Sequence, residues 1–448
     1  MDRIEQRICE IIDSKAEELK AFGKDIWCNA ELGYKEFRTA KKFEEQARAL
    51  GLETETGLAV TGVKSYLKGK GAAGRTIALM GEMDALPIAD HKDANPETGA
   101  SHCCGHSIQL TAVLGAMMAL TDPEVKESLD GNIAFMAVPA EEFIEIEYRK
   151  SLMDEGKISY GGGKCELIKV GAVDDIDITV GHHTFPGVEV GLYNCSSNGF
   201  VNKVITYHGV ASHAADAPYR GVDALNAANL AFHAIDMQRE SFQEKDFVRC
   251  HGFISRGGKA PNVIADEVTV EYCVRAKHIP AYVDANKKVD RSFRAGAVAT
   301  GSGVTIETMA GYLPTIPNKK PGVLAETLEQ MADEKGYQIT WRNATDHITG
   351  STDFGDISCI MPLLQFSTGG VEGQLHNKSL NIIDEDLAYL TTAKIFALTA
   401  YKLLKDGGAA AEDMLDGFVP EMTKEQYVAF MESMNNTEEL PIEQLPIV

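Results

Sequence analysis

Cys104 and His106 stand two residues apart in SHCCGHSIQLTAVLGA, just ahead of a stretch with helical character. Thiolate and imidazole are preferred ligands of zinc and similar divalent ions, and this spacing lets both reach one site from a loop. The same pair permits a second chemistry, with Cys104 as nucleophile and His106 as its base. A buried cysteine next to a capping histidine is the plain structural alternative. Two adjacent carboxylates, Glu141 and Glu142, close the apolar run in VPAEE. Consecutive strand residues face opposite ways, but at a strand end the two can diverge, so that one binds metal while its neighbour takes a proton from water. A solvated strand end is the competing explanation. In VGHHTFPG, alternation groups His182 with Ile176, Ile178 and Val180, and His183 with Asp177 and Thr179, which places His183 on the more polar face. One of the two is a candidate ligand and the other is structural. Farther on stand His213 in GVASHAADAP, Asn262 in KAPNVIADE, Arg275 in EYCVRAK, Asp353 in TGSTDFGDIS and His376 in GQLHNKSLN, each of which taken alone could be a surface or core residue.

These residues need elements to converge them. From Arg75, short β-type runs (TIALMGEMDAL, GNIAFMAVPA, DIDITVGHH) alternate with helical stretches such as SIQLTAVLGAMMALT, the pattern of an α/β, βα layered domain with a largely parallel sheet. Ligands in such sheets gather at the carboxyl ends of strands. The three runs end in Glu82 and Asp84, in Glu141 and Glu142, and in His182 and His183, so acids and histidines are aimed at one edge. Between about 199 and 310 the texture becomes strand (201–208), helix (222–239), two strands (247–255, 266–276), helix (280–298) and strand (302–309). That βαββαβ order reads as a ferredoxin-like insert. The expected organisation is a catalytic domain of residues 1–198 and 311–404, an inserted domain of 199–310, and an acidic C-terminal tail of 405–448.

Composition bounds the function classes. The chain has 448 residues, 44% hydrophobic and 24% charged, which excludes a disordered or fibrous protein. A net charge of −23 argues against nucleic acid as a partner. That excess is uneven, since residues 405–448 hold 10 acids and 2 bases while 200–310 hold 12 acids and 13 bases. An anionic substrate is therefore compatible with the insert. No apolar stretch nears the roughly 20 residues of a membrane span. The N-terminal segment, with Ile4, Ile8, Ile11 and Ile12 at helical spacing among charges, reads as an amphipathic helix and not a signal peptide. Nine cysteines without framework spacing suit reduced thiols and a cytoplasmic location.

Taken in order, GEMDALPI (81–88), HCCGH (102–106), PAEE (139–142), HHTFPGVEVG (182–191), GVASHAADAPYRGVDAL (209–225), APNVIADE (260–267), GSTDFGDIS (350–358) and LHN (375–377) carry a family likeness over about residues 5–402. The chain resembles the metal-dependent amidohydrolases that include hippurate hydrolase, indoleacetyl-amino acid hydrolases and aminobenzoyl-glutamate hydrolase, relatives of aminoacylase and carboxypeptidase G. GSTDFGDIS and the non-histidine at 109 look closer to the aminobenzoyl-glutamate branch. The resemblance implies a dinuclear site bound by Cys104, His106, Glu142, His183 and His376, with Cys104 as bridge. It implies Glu141 as general base on a water between the ions, and Asp84 as the aspartate that orients a site residue from behind. His213, Asn262 and Arg275 correspond to residues of a lid that meet the substrate's oxyanion and carboxylate, often across a homodimer formed through the lid domain. One thiolate, three imidazoles and a carboxylate favour zinc, with manganese, cobalt or nickel as alternatives.

Three departures mark this chain. Hippurate-type members read CGHDGH, where Ser107, Ile108 and Gln109 stand here; the lid motif commonly ends in Pro-His, where Pro218-Tyr219 stands. An 18-residue insertion, 143–160, follows the base directly and is expected to line the pocket and set specificity. The functional readings are thus a metal-dependent amidase acting on N-acyl or N-aroyl amino acids or related small amides, a cysteine-dependent hydrolase using Cys104 and His106, and a non-catalytic small-molecule binder on the same fold.

Overall fold

The apolar runs become the inner strands of a mixed eight-stranded sheet in the order Glu53–Leu58, Gly62–Lys68, Asn132–Val138, Thr76–Glu82, Ile178–Thr184, Leu363–Thr368, Val190–Tyr193, Ile339–Arg342. This computed structural model describes residues 1–70 and 74–442. Thr76–Glu82 runs parallel to both Asn132–Val138 and Ile178–Thr184, and Leu363–Thr368 is parallel to Ile178–Thr184. The Thr76–Glu82 and Asn132–Val138 strands are buried along their whole length, as strands covered on both faces must be. Their carboxyl ends deliver Glu82 and the Pro139–Glu142 turn to the same edge. The helix His106–Leu120 is buried at every residue, which explains why it is apolar all round and shows no amphipathic stripe. Each fully buried Leu or Ile side chain contributes about 1.5–3 kcal/mol. The helix that begins with His106 is therefore anchored in the core.

The first 28 residues form two helices, Arg3–Ser14 and Ala16–Cys28, where the apolar spacing alone predicts a single amphipathic one. Lys15 leaves helical backbone angles at the junction, with φ −100° and ψ 9°. Both helices lay an apolar face on the core through Ile8, Ile12, Leu19 and Ile26.

The chain divides into two compact units. One comprises Met1–Ser196, Ile316–His347 and Asp356–Lys424; the other comprises Ser197–Thr315, Ile348–Gly355 and the chain from Glu425. In the second unit, the insert's strands lie in the order Gly303–Ala310, Gly199–His208, Glu267–Ala276, Arg249–Arg256, with helices Ala224–Met237 and Ile279–Thr300. This fourth-first-third-second order is the ferredoxin-like arrangement. A fifth strand, Asn436–Leu440, pairs antiparallel with Gly303–Ala310. The described part of the 405–448 stretch, expected as an acidic tail, is thus docked. Helix Ala409–Leu415 joins the first unit, whereas the tail's last described strand extends the sheet of the second, tied by Asn435 Oδ1 accepting from Ala310 N at 2.6 Å. Residues 443–448 of that stretch lie outside the described residues. The return to the first unit comes at Ile316, and the chain goes back to the second unit for Ile348–Gly355, which holds part of GSTDFGDIS.

The inserted segment forms a helix, Ile146–Asp154, on the first unit. Tyr148 donates from its hydroxyl to Tyr34 O at 3.4 Å, Lys35 pairs with Glu145 at 2.6 Å, and Ile144 packs against Leu86, Cys103 and Cys104.

Candidate metal centre

Gly105 separates the two ligand candidates of the loop and sits at φ +86°; a Cβ there would come within 2.3 Å of Thr184 Cγ2. Only glycine meets both demands. Cys104 and His106 can therefore turn toward one point while the helix behind them stays buried. Asp84, just past the end of its strand, accepts from His106 Nδ1 through its carbonyl at 2.9 Å and its Oδ1 at 3.1 Å. A proton held on Nδ1 leaves Nε2 as the free donor to a metal. His183 is held in the same way: its Nδ1 lies 2.8 Å from Thr184 O, and its Nε2 lies 3.3 Å from Cys104 Sγ. Its neighbour His182 faces the other way, 2.8 Å from Thr368 Oγ1 and against the rings of Phe366 and Phe396. His376 comes from the loop after Leu363–Thr368, takes φ +58°, and donates its backbone N–H to Cys103 O at 2.8 Å. Its Nε2 is 3.2 Å from Glu142 Oε1.

The donor atoms form two overlapping sets, Cys104 with His106 and His183, and Cys104 with Glu142 and His376, each within 4.8 Å of one another. The Cys104 sulfur belongs to both. A third set joins His106 to Glu82 and Glu141, with His106 Nε2 at 3.1 Å from Glu82 and 3.8 Å from Glu141. All of Glu141, Asp84, Cys104, His106, Glu142, His183 and His376 are thus gathered in the first unit. His213, Asn262 and Arg275 are carried by the second unit. There the His213 and Asn262 loops meet, with Ala214 N donating to Asn262 O at 3.0 Å, while Arg275 donates to Ser351 Oγ at 2.9 Å and lies over the Phe200 ring. Asp353 is buried in the same unit.

Electrostatics in the cluster are those of crowded anions. Burial works against charge on His106, yet Glu82, Cys104 and Asp84 hold its pKa well above the ordinary value. Burial and the Glu142 carboxylate push the Cys104 thiol well up. The Glu142 carboxylate beside it raises His376. Burial would raise Glu82 and Asp84, but Lys164 with His106 lowers the first, and His106 lowers the second.

Sequence reasoning did not assign Glu82, Lys164 or Gln109 to the site. Lys164 is fully buried and donates to Glu82 Oε1, while Gln109 Nε2 donates to Glu82 Oε2 at 2.7 Å. Lys164 follows the inserted segment in GGGK, and nothing in local periodicity marks a lysine there as buried. Gln109 could have been found, since it replaces the histidine of the hippurate-type motif three residues beyond a ligand.

The residues fit divalent ions on this structure's own terms. His106 Nε2 and Glu142 Oε1, one from each set, are buried polar atoms without a well-formed hydrogen bond among the described residues. His106 Nε2 lies 3.1 Å from Glu82 and Glu142 Oε1 lies 3.2 Å from His376 Nε2, and buried ligand-type atoms that lack a well-formed hydrogen bond beside a shared thiol suit a cation. Four carboxylates, Glu82, Asp84, Glu141 and Glu142, crowd there with the Cys104 thiol, and buried Lys164 pairs with the first of them. Sulfur, imidazole and carboxylate together are a donor set of the zinc kind.

The chain is similar to known hydrolases in sequence and in fold. A family model described as peptidase family M20/M25/M40 matches residues 78–402. The chain is 30% identical to the Xaa-Arg dipeptidase of Mus musculus over 90% of each chain. It is 26% identical to one subunit of the p-aminobenzoyl-glutamate hydrolase of Escherichia coli, over 92% of this chain and 94% of that one. Its fold resembles that of the Bacillus subtilis YXEP protein, a dinuclear metal binding peptidase, with a TM-score of 0.65 at 20% identity, covering 88% of this chain and 99% of that one.

Proposed function

This chain belongs to peptidase family M20/M25/M40, a family of metal-dependent hydrolases, and on that premise we propose that it cleaves the amide bond of a small N-acyl or N-aroyl amino acid or related conjugate. The observation that carries the reading is the pair of ligand sets sharing the Cys104 sulfur, with the Glu141 carboxylate beside them. Cys104, His106 and His183 would hold one divalent ion and Cys104, Glu142 and His376 the other, with zinc the first choice and manganese, cobalt or nickel as alternatives. Such ions acidify water and polarise a carbonyl. Asp84 keeps His106 in the tautomer that presents Nε2 outward. Glu141 takes the proton from the attacking water and returns it to the leaving amine nitrogen, as one carboxylate can do in both halves of the reaction. His213, Asn262 and Arg275 are proposed to meet the developing oxyanion and the substrate carboxylate.

A hydrolysis panel tests the reading: acetyl, benzoyl and aminobenzoyl conjugates of Glu, Gly and aromatic amino acids, with Xaa-Arg dipeptides added because a relative bears that name. Metal-loaded protein is expected to release the free amino acid from at least one class. No turnover across the panel, despite full metal occupancy, would favour the non-catalytic binder.

The protein is further proposed to work in the cytoplasm as a homodimer through the inserted domain. All nine cysteines are free. Among the described residues no helix is long and apolar enough to cross a membrane. The C-terminal strand covers one edge of the insert's sheet, and Arg249–Arg256, paired on one side with Glu267–Ala276, is the opposite edge. Its Phe253 is 58% exposed. An edge strand with exposed N–H and C=O groups and an apolar side chain is a pairing template. The expected solution mass is twice the 48.6 kDa of one chain, falling to a single chain on Phe253→Lys; a strictly monomeric wild type would contradict it.

A further inference from the structure

Glu141 and Glu142 follow a strained residue. Ala140 takes φ +51°, a left-handed conformation unfavourable for a non-glycine residue that persists only where the surroundings over-determine it. Here three ionisable side chains from three parts of the chain do so. Glu36 Oε1 accepts from Ala140 N at 2.8 Å, while its other oxygen accepts from Thr61 Oγ1 at 2.6 Å. Asp84 Oδ2 accepts from Glu142 N at 2.8 Å. The third is Arg149, in the segment that departs from the family pattern. It is 1% exposed, and its guanidinium donates to three carbonyls: Ile144 O at 2.6 Å, and Gly161 O and Glu142 O. It lies 5.2 Å over the rings of both Tyr34 and Phe143. Gly33 clears its path, since a Cβ there would come within 2.9 Å of Arg149 Nη2 and 3.0 Å of Ala140 Cα.

We propose that Arg149 is a positioning residue for the carboxylate pair, and that the 143–160 segment serves as a bracket that fixes Glu142, whatever it also does at the substrate. This rests on the two-ion reading above. A guanidinium presents its donors in a rigid fork, so one side chain can hold both ends of the segment, at Ile144 and Gly161, to the Glu142 carbonyl at once. Supporting partners of metal ligands are worth about 10–100-fold in metal affinity. Arg149 reaches Glu142 through its backbone, so its loss should be felt by the ion that Glu142 holds and not by the ion on His106 and His183.

The test is calorimetric titration of cobalt(II) into metal-free full-length protein, with the thiolate-to-cobalt absorption band followed in parallel. The step abolished by His376→Ala identifies the Glu142 ion. Arg149→Met is expected to weaken that step about 10–100-fold and to leave the other within about threefold. Arg149→Lys keeps a charge without the fork; it is expected to weaken the same step by about tenfold, and serves if the methionine variant does not fold. Tyr148→Phe removes the same segment's hydrogen bond to Tyr34 O and is expected to bind both ions as the wild type does. Unchanged binding of both ions by a folded Arg149 variant, or an equal loss in Tyr148→Phe, would overturn the proposal while leaving the two-ion reading standing. A wild type that takes up fewer than two ions would overturn both.

Discussion

Glu141→Gln is expected to lower kcat by about 10²–10⁴-fold, the range that positioned general-base catalysis supplies, with little change in metal content. Glutamine keeps the shape of glutamate but exchanges one acceptor oxygen for an NH2 donor and cannot accept a proton at neutral pH. Glu141 is nearly buried at the mouth of the cluster, 3.8 Å from His106 Nε2, and belongs to neither of the two sets built on the Cys104 sulfur. Its carboxylate therefore stands beside both sets, where a base that moves a proton to and from water would stand. Steady-state kinetics with metal analysis of the same preparation checks this. A kcat within tenfold of wild type would remove Glu141 from the role of base, and loss of bound metal would recast it as a ligand.

The second large effect is expected at Cys104. Because its sulfur is common to both ligand sets, Cys104→Ala should weaken both ions, whereas His376→Ala should weaken only one. Each loss should exceed the about 10–100-fold that follows removal of a mere supporting partner. Turnover falls with the metal. The same variants separate the nucleophilic reading, in which Cys104 attacks with His106 as its base. On that reading Cys104→Ala retains both ions, and wild-type protein trapped during turnover shows an acyl adduct by mass spectrometry. Burial and Glu142 hold the thiol protonated in the absence of a cation, which disfavours a free thiolate nucleophile.

Much of the site was legible because its chemistry is tied to strand ends. Alternation along Ile178–Thr184 separates His183 from His182, and the structure shows one turned to the Cys104 sulfur and the other to Thr368. The βαββαβ insert was legible from runs whose apolar spacing changes between period two and helical period. What escaped was held by long-range contacts. Lys164 and Glu36 are buried ionisable groups whose partners lie 82 and 104 residues away, Arg149 is buried against carbonyls nearer in the chain, and no local pattern distinguishes the three from surface residues. The C-terminal strand escaped for a related reason. Asn436–Leu440 reads NTEEL, exposed at all but its last residue, so its membership of the sheet rests on backbone pairing to Gly303–Ala310 and not on apolar alternation. Its acids made it look like a tail.

The claim that two ions share the Cys104 sulfur and drive hydrolysis is tested most directly by counting metal per chain against activity. Protein stripped and then reconstituted is expected to hold two divalent ions per chain, to lose turnover in excess chelator, and to recover it when metal is returned. Fewer than two ions per chain after reconstitution, or full activity in excess chelator, would contradict it.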